Sequence, residues 1–186
     1  MKFPEKRRSM SVRKLSACAL MAALIAVCSQ IQIPLPAVPI NLALFAVHLS
    51  GALLGPAGGA LSVAAYVLLG MIGVPVFAGF RAGPAVLFGK TGGYILGYFL
   101  CAWLVGFLSR RQPYTFLRLC LAMAAGVFVC YFFGTAWFMA LTETGLAASL
   151  SLCVLPFLPG DAAKIALAAF LAVRLRLALA RMGFSF

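Results

Sequence analysis

Acidic residues are scarce in this chain. Its 186 residues include three, Glu5, Glu143 and Asp161, against 15 lysines and arginines, and charged residues of both signs make up only 10%. A soluble domain carries about 25% charged residues to keep its surface solvated, which three carboxylates cannot do. An ordinary cytosolic enzyme is excluded. Histidine is rarer still: His48 stands alone. With no second ligand at useful spacing, it reads as a packed or interhelically hydrogen-bonded side chain. The six cysteines (Cys18, Cys28, Cys101, Cys120, Cys130 and Cys153) include no CxxC pair. Most lie in apolar runs, where a thiol packs as a small hydrophobe. No paired carboxylate, Ser/His/Asp set or His/Cys cluster appears, so no catalytic constellation and no metal site is expected.

Apolar residues fill the space left by charge. They make up 65% of the chain, and mean hydropathy is +1.09, which marks an integral membrane protein. A membrane-spanning helix needs about 20 apolar residues, so this length holds at most about seven. In a soluble protein a net charge of +12 would suggest nucleic acid; in a membrane protein it marks cytoplasmic loops. The basic start (Lys2, Lys6, Arg7, Arg8, Arg13 and Lys14) resembles a signal peptide, but the later spans favour a signal anchor. Leu15-Ser16-Ala17-Cys18 looks like a lipoprotein cleavage site, yet it precedes the apolar run instead of following it.

Six apolar elements can be read along the chain. The first runs from Leu15 to Ile33, and Pro34, Pro36 and Pro39 then impose a loop from Ile33 to Asn41. Leu42 to Leu54 is short and ends at Gly55-Pro56; Gly58 to Val76 follows, closed by Pro75 and a loop from Phe77 to Pro84. Ala85 to Leu108, Phe116 to Leu141 and Pro159 to about Leu179 complete the set. Lys and Arg concentrate before the first element, after the fourth (Arg110, Arg111 and Arg118) and at the end (Arg174, Arg176 and Arg181). The positive-inside rule is then satisfied by six spans with both termini cytoplasmic. The expected organisation is a basic segment 1–14, a six-helix membrane domain 15–180 forming a compact all-α bundle, and a tail 181–186.

Polar groups at membrane depth cost several kcal/mol unless paired or wet, so they are the informative residues. In Pro156-Phe157-Leu158-Pro159-Gly160-Asp161-Ala162-Ala163-Lys164 a helix restarts near Asp161, placing Asp161 and Lys164 on one face at i,i+3. Either Asp161 caps the helix and Lys164 neutralises it, or the pair holds a ligand, the Lys meeting a carboxylate and the Asp accepting N–H bonds. The ligand reading is preferred, because ions inside a membrane are functional by default. Phe88-Gly89-Lys90-Thr91-Gly92-Gly93-Tyr94 invites a phosphate-loop reading, but five residues separate Gly83 from Gly89 where that motif needs four, and no strand precedes it. Gly92 and Gly93 serve close helix contact or leave room for a ligand, and Lys90 snorkels outward or faces a cavity. Asn41 caps the second element or lines the outer cavity. Arg81 in an outer loop is solvated or attracts an anion. Trp103, Trp137 and the tyrosines read as interface or packing residues. Ala19 and Ala23, then Ala22 and Ala26, repeat at four-residue spacing, letting another helix approach from within the chain or from a partner.

The series Val38-Pro39-Ile40, Leu54-Gly55-Pro56, Gly73-Val74-Pro75-Val76-Phe77-Ala78-Gly79, Gly89-Lys90-Thr91-Gly92-Gly93-Tyr94 and Pro156 to Lys164 resembles the BioY family, over roughly residues 12–180. That family comprises biotin-binding S components of energy-coupling factor (ECF) transporters. The resemblance implies a membrane subunit of the bacterial cell membrane, without cofactor, that binds biotin near its outer face. A transmembrane coupling protein and cytoplasmic ATPases would drive release inward. It implies Asp161 and Lys164 as the polar contacts, a slot formed by Phe77, Tyr94 and the glycine-backed fourth helix, and the alanine face of helix 1 as the coupling surface. Two departures from the family pattern fall beside this site: Lys90 where proline is common, and Asn41-Leu42-Ala43-Leu44 where Thr-Leu-Gln-Thr is common. Lys90 would supply a second cation for the ligand's carboxylate. The alternatives are the same architecture tuned to another vitamin or a biotin precursor, and a small membrane enzyme or channel.

Overall fold

A computed structural model describes residues 12–35, 38–110 and 114–181. The basic residues Lys2, Lys6, Arg7, Arg8 and Arg111, as well as Pro36 and the tail beyond Arg181, lie outside them. The described residues form seven helices and one two-stranded ribbon: α1 (Val12–Gln30), β1 (Gln32–Ile33), β2 (Ile40–Asn41), α2 (Ala43–Met71), α3 (Pro84–Leu87), α4 (Gly92–Leu108), α5 (Phe116–Thr142), α6 (Leu146–Cys153) and α7 (Leu158–Arg181). Among the described residues α1, α2 and α5 are long and apolar enough to cross a membrane by length and composition, with α2 counted end to end across its break; α4 is apolar but shorter. Leu20, Leu68, Leu121, Phe128, Phe132 and Phe170 stand exposed on the outside, as side chains facing lipid do.

The break expected at Gly55-Pro56 is a reversal of the chain. Gly55 adopts φ 74°, ψ −178° inside α2, a conformation open to glycine. A Cβ on Gly59 would lie 2.7 Å from the Cα of Gly51. A straight helix would separate these residues, eight positions apart, by about 12 Å. The two halves of α2 therefore double back as a hairpin. Leu44 and Tyr66, each eleven residues from Gly55, accordingly meet at the wall of one cavity. Gly106 of α4 seats the turn, since a Cβ there would lie 2.4 Å from Pro56 N, and a Cβ on Gly51 would lie 2.5 Å from Ala102 O. Glycine at these positions lets α2 and α4 approach backbone to backbone.

Basic residues gather around this turn. Arg110 lies beside Gly55 and Lys14 beside Gly58; the Tyr114 hydroxyl donates to Ala52 O at 2.8 Å; Arg176 stacks over the Tyr114 ring at 4.0 Å. Burial pushes the Tyr114 phenol up from its ordinary range, against the nearby Arg176 charge. The cavity lies at the opposite end of the bundle.

The structure corrects four element boundaries. The single fourth helix is two, α3 and α4, because the chain bends through Phe88–Thr91: a Cβ on Gly92 would lie 1.7 Å from Leu87 O. The proline loop carries an antiparallel ribbon pairing Gln32 with Asn41 and Ile33 with Ile40. The loop after α5 contains α6, too short to span a bilayer. Finally, α1 starts at Val12, so Arg13 and Lys14 are helical.

Candidate functional site

The site is built at the end of the bundle where helices begin late, end early or break. α7 starts at Leu158 with Pro159 in its first turn, where a missing N–H costs nothing. Asp161 falls inside that turn, so it does not occupy the N-cap position. It is 3% exposed. One carboxylate oxygen pairs with Lys164 Nζ at 2.7 Å, and the other accepts from the Tyr131 hydroxyl of α5 at 2.5 Å. Both oxygens are thus engaged by side-chain donors, Lys164 and Tyr131. A buried carboxylate needs this pairing, and the N-terminal end of α7 favours its charge.

Asp161 and Lys164 lie in the wall of a cavity of about 720 Å³, its open mouth included. Its other walls are largely aromatic and aliphatic: Tyr66, Phe77, Tyr94, Tyr98, Tyr131 and Phe157, with Leu44, Val86 and Ile95. Four of these rings are held in place by neighbours. Phe77 meets Tyr66 edge to face at 5.6 Å and fits against Gly70. Tyr94 presses on Gly134 and its hydroxyl lies 3.3 Å from Thr135 Oγ1. Tyr98 donates to Asn41 Oδ1 at 3.4 Å, and that oxygen also accepts from Ala43 N at 3.1 Å. Asn41 therefore lines the cavity and, from one position before the N-cap residue Leu42, accepts from the first N–H of α2.

The last turn of α1 fastens the loop that carries Phe77. Gln30 Nε2 donates to Val76 O at 3.0 Å and Phe77 O at 3.2 Å, while its Oε1 accepts from Phe80 N at 2.9 Å. Ser29 donates to Val76 O as well. A single glutamine thus ties three loop backbone groups to the end of α1.

Of the residues expected at the site, the cavity gathers Asp161, Lys164, Tyr94, Asn41, Phe77 and Arg81. Lys90 stands exposed on the wall of an adjoining cavity, which Arg81 also lines. Gly92 and Gly93 line neither: they are buried, and a Cβ on Gly93 would lie 2.3 Å from Trp137 Cβ. Their role is close packing, the first of the two readings above. Tyr131, Tyr98, Tyr66 and Gln30 were not singled out from the sequence, where scattered tyrosines carry no periodic signal. His48 is buried, with Nδ1 3.7 Å from Cys101 Sγ, and no group of three metal-ligating residues occurs among the described residues. The alanine lines of α1 part company: Ala19 and Ala23 are exposed, whereas Ala22 is buried and Ala26 packs against the core.

A family model described as the BioY family matches residues 4–181. The chain belongs to the BioY family. Among its relatives, the biotin transporter BioY of Thermotoga maritima is 38% identical over 165 residues, covering 89% of this chain and 96% of that protein. The probable biotin transporter BioY of Pyrococcus horikoshii is 36% identical over 167 residues, covering 90% and 98%. The fold is also similar to the crystal structure of the S-component for biotin from an ECF-type ABC transporter, with TM-score 0.80 and 32% identity, covering 90% of this chain and 95% of that one. BioY membership makes this a multi-pass membrane protein of helices, as its apolar exterior requires. Within this BioY chain, the arrangement suits binding: the ion pair is internally neutralised, and the buried His48–Cys101 contact lines neither cavity.

Proposed function

We propose that the chain is the substrate-binding membrane subunit of an ECF-type transporter and that its ligand is biotin. The observation that carries this reading is the Asp161–Lys164–Tyr131 cluster at the wall of an aromatic cavity. Biotin has a neutral ureido ring with two N–H donors and one carbonyl, a thioether ring and an acyl chain ending in a carboxylate. Because Lys164 is already neutralised by Asp161, this end of the cavity suits the neutral head. Asp161 accepts from the ureido N–H groups, Lys164 or Tyr131 donates to the ureido oxygen, and Tyr66, Phe77, Tyr94 and Phe157 enclose the apolar rings. Among the described residues the carboxylates are Asp161 and Glu143, and neither pairs with Arg81 or Lys90. Arg81, which lines this cavity, suits the carboxylate, and Lys90 stands further out on the adjoining wall.

The reading extends to topology. Counting the halves of α2 separately, α1, α4, α5 and α7 bring the membrane-crossing segments to six, with both termini on the basic side. The basic ring around Gly55 supports a cytoplasmic assignment for that end, which leaves the cavity facing outward in the cell membrane. Ala19 and Ala23 present the smooth outward stripe on which a transmembrane coupling protein packs, and cytoplasmic ATPases supply the energy for release. Equilibrium binding of labelled biotin to the purified, detergent-solubilised chain tests the proposal. Saturable binding displaced by unlabelled biotin is expected, and folded protein that binds another vitamin instead would overturn the ligand assignment.

A further inference from the structure

The cavity beside the proposed biotin site has features that free biotin does not use. It holds about 1080 Å³, its open side included, and shares Pro39, Ala78, Arg81, Val86 and Thr91 with the first cavity. The two spaces therefore adjoin, and a tail directed from Asp161 toward Arg81 leads into the second. Its wall includes Arg81, Lys90 and Gln32. The Oε1 of Gln32 is buried and has no hydrogen-bond donor. An acceptor left in this state is costly unless a donor reaches it. The ribbon fixes its place: Gln32 pairs with Asn41, so the residue lining the second cavity stands directly across from one lining the first. Its Nε2 lies on the side of Gly79, where a Cβ would be 3.0 Å away.

A carboxylate offers cations a partner but gives Gln32 Oε1 no donor. An amide in its place offers an N–H. We propose that this chain also binds biotin joined through its carboxyl group, in amide linkage, to an amino acid, with the amide N–H donating to Gln32 Oε1 and the amino-acid carboxylate reaching Lys90 beyond Arg81. The inference rests on the biotin reading above and adds a ligand class to it: the head is held as before, and the second cavity takes what is attached to the tail.

The purified full-length chain in detergent is titrated with biotin, ε-N-biotinyl-lysine, biotin N-methylamide and biotin methyl ester. The last two have nearly the same shape and differ in an N–H. Biotinyl-lysine is expected to bind within about tenfold of biotin, and the N-methylamide about tenfold more tightly than the ester. Gln32→Met removes the acceptor at similar length, and is expected to abolish the preference for amide over ester while leaving biotin affinity unchanged. Failure of biotin itself to bind would defeat the parent reading. Biotin binding with biotinyl-lysine weaker by roughly a thousandfold or more, or equal affinity for amide and ester, would overturn this inference and leave the parent reading standing. A Gln32→Met change that weakens every ligand alike would show Gln32 to be structural and would also overturn it.

Discussion

The two ends of the bundle are built on opposite plans. At the basic end, small residues remove side chains from between helices: Gly51 meets Ala102, Gly59 meets Gly51, and Gly106 meets Pro56 backbone to backbone. At the cavity end, tyrosines and phenylalanines hold helices apart, and the chain breaks at Phe88–Thr91, between α6 and α7, and in the proline ribbon. Close packing leaves no room for a ligand and makes one end a firm base. Broken elements leave backbone turns and helix starts that aim polar groups into a space. The contrast teaches that glycine does different work at the two ends: at Gly55 it reverses the chain, whereas at Gly92 and Gly93 it allows the helix behind the cavity to sit against α3 and α5.

Substitutions at each end should separate binding from stability. The largest effect is expected from Lys164→Met, which leaves Asp161 buried without its cation, a loss of about 3–5 kcal/mol for such pairs. Biotin affinity should fall by roughly a hundredfold to a thousandfold or more, read by equilibrium titration. Tyr131→Phe removes one hydrogen bond to a charged acceptor, about 1.5–3 kcal/mol, and should weaken binding by roughly tenfold to a hundredfold without loss of the folded form. Gly51→Leu, at the other end, forces a side chain into Ala102 and should cost about 1–3 kcal/mol of stability. Thermal melting in detergent checks this, and folded variant protein should retain biotin affinity near that of the parent. Lys90→Ala should be mildest, within about 1 kcal/mol for an exposed charge, with the difference shrinking at high salt. If Gly51→Leu weakened binding as much as Lys164→Met, the division of labour between the ends would be wrong.

Much of this was legible because apolar runs and prolines are local signals. The Gly55-Pro56 break, the start of α7 and the Asp161–Lys164 pair follow from neighbouring residues. What was not legible depends on distance along the chain. Tyr131 reaches Asp161 across thirty positions, a pairing no spacing rule contains. Gln30 clamps a loop some fifty residues away. The ribbon is hidden among prolines that argue against strands, and α6 is too short to register as a span. The alanine lines of α1 were half legible. Positions 19 and 22 lie about 60° apart around a helix, so spacing alone identifies two smooth lines but not which one α2 covers.

The central claim is that the cluster on α7 and α5 holds the ligand's neutral head. Titrating labelled biotin into purified protein carrying Lys164→Met, beside the unaltered chain and with folding checked by thermal melting, tests it most directly. The account predicts saturable, displaceable binding to the unaltered chain and a loss of roughly a hundredfold or more in the folded variant. Undiminished affinity in the variant would place the ligand elsewhere and contradict the account.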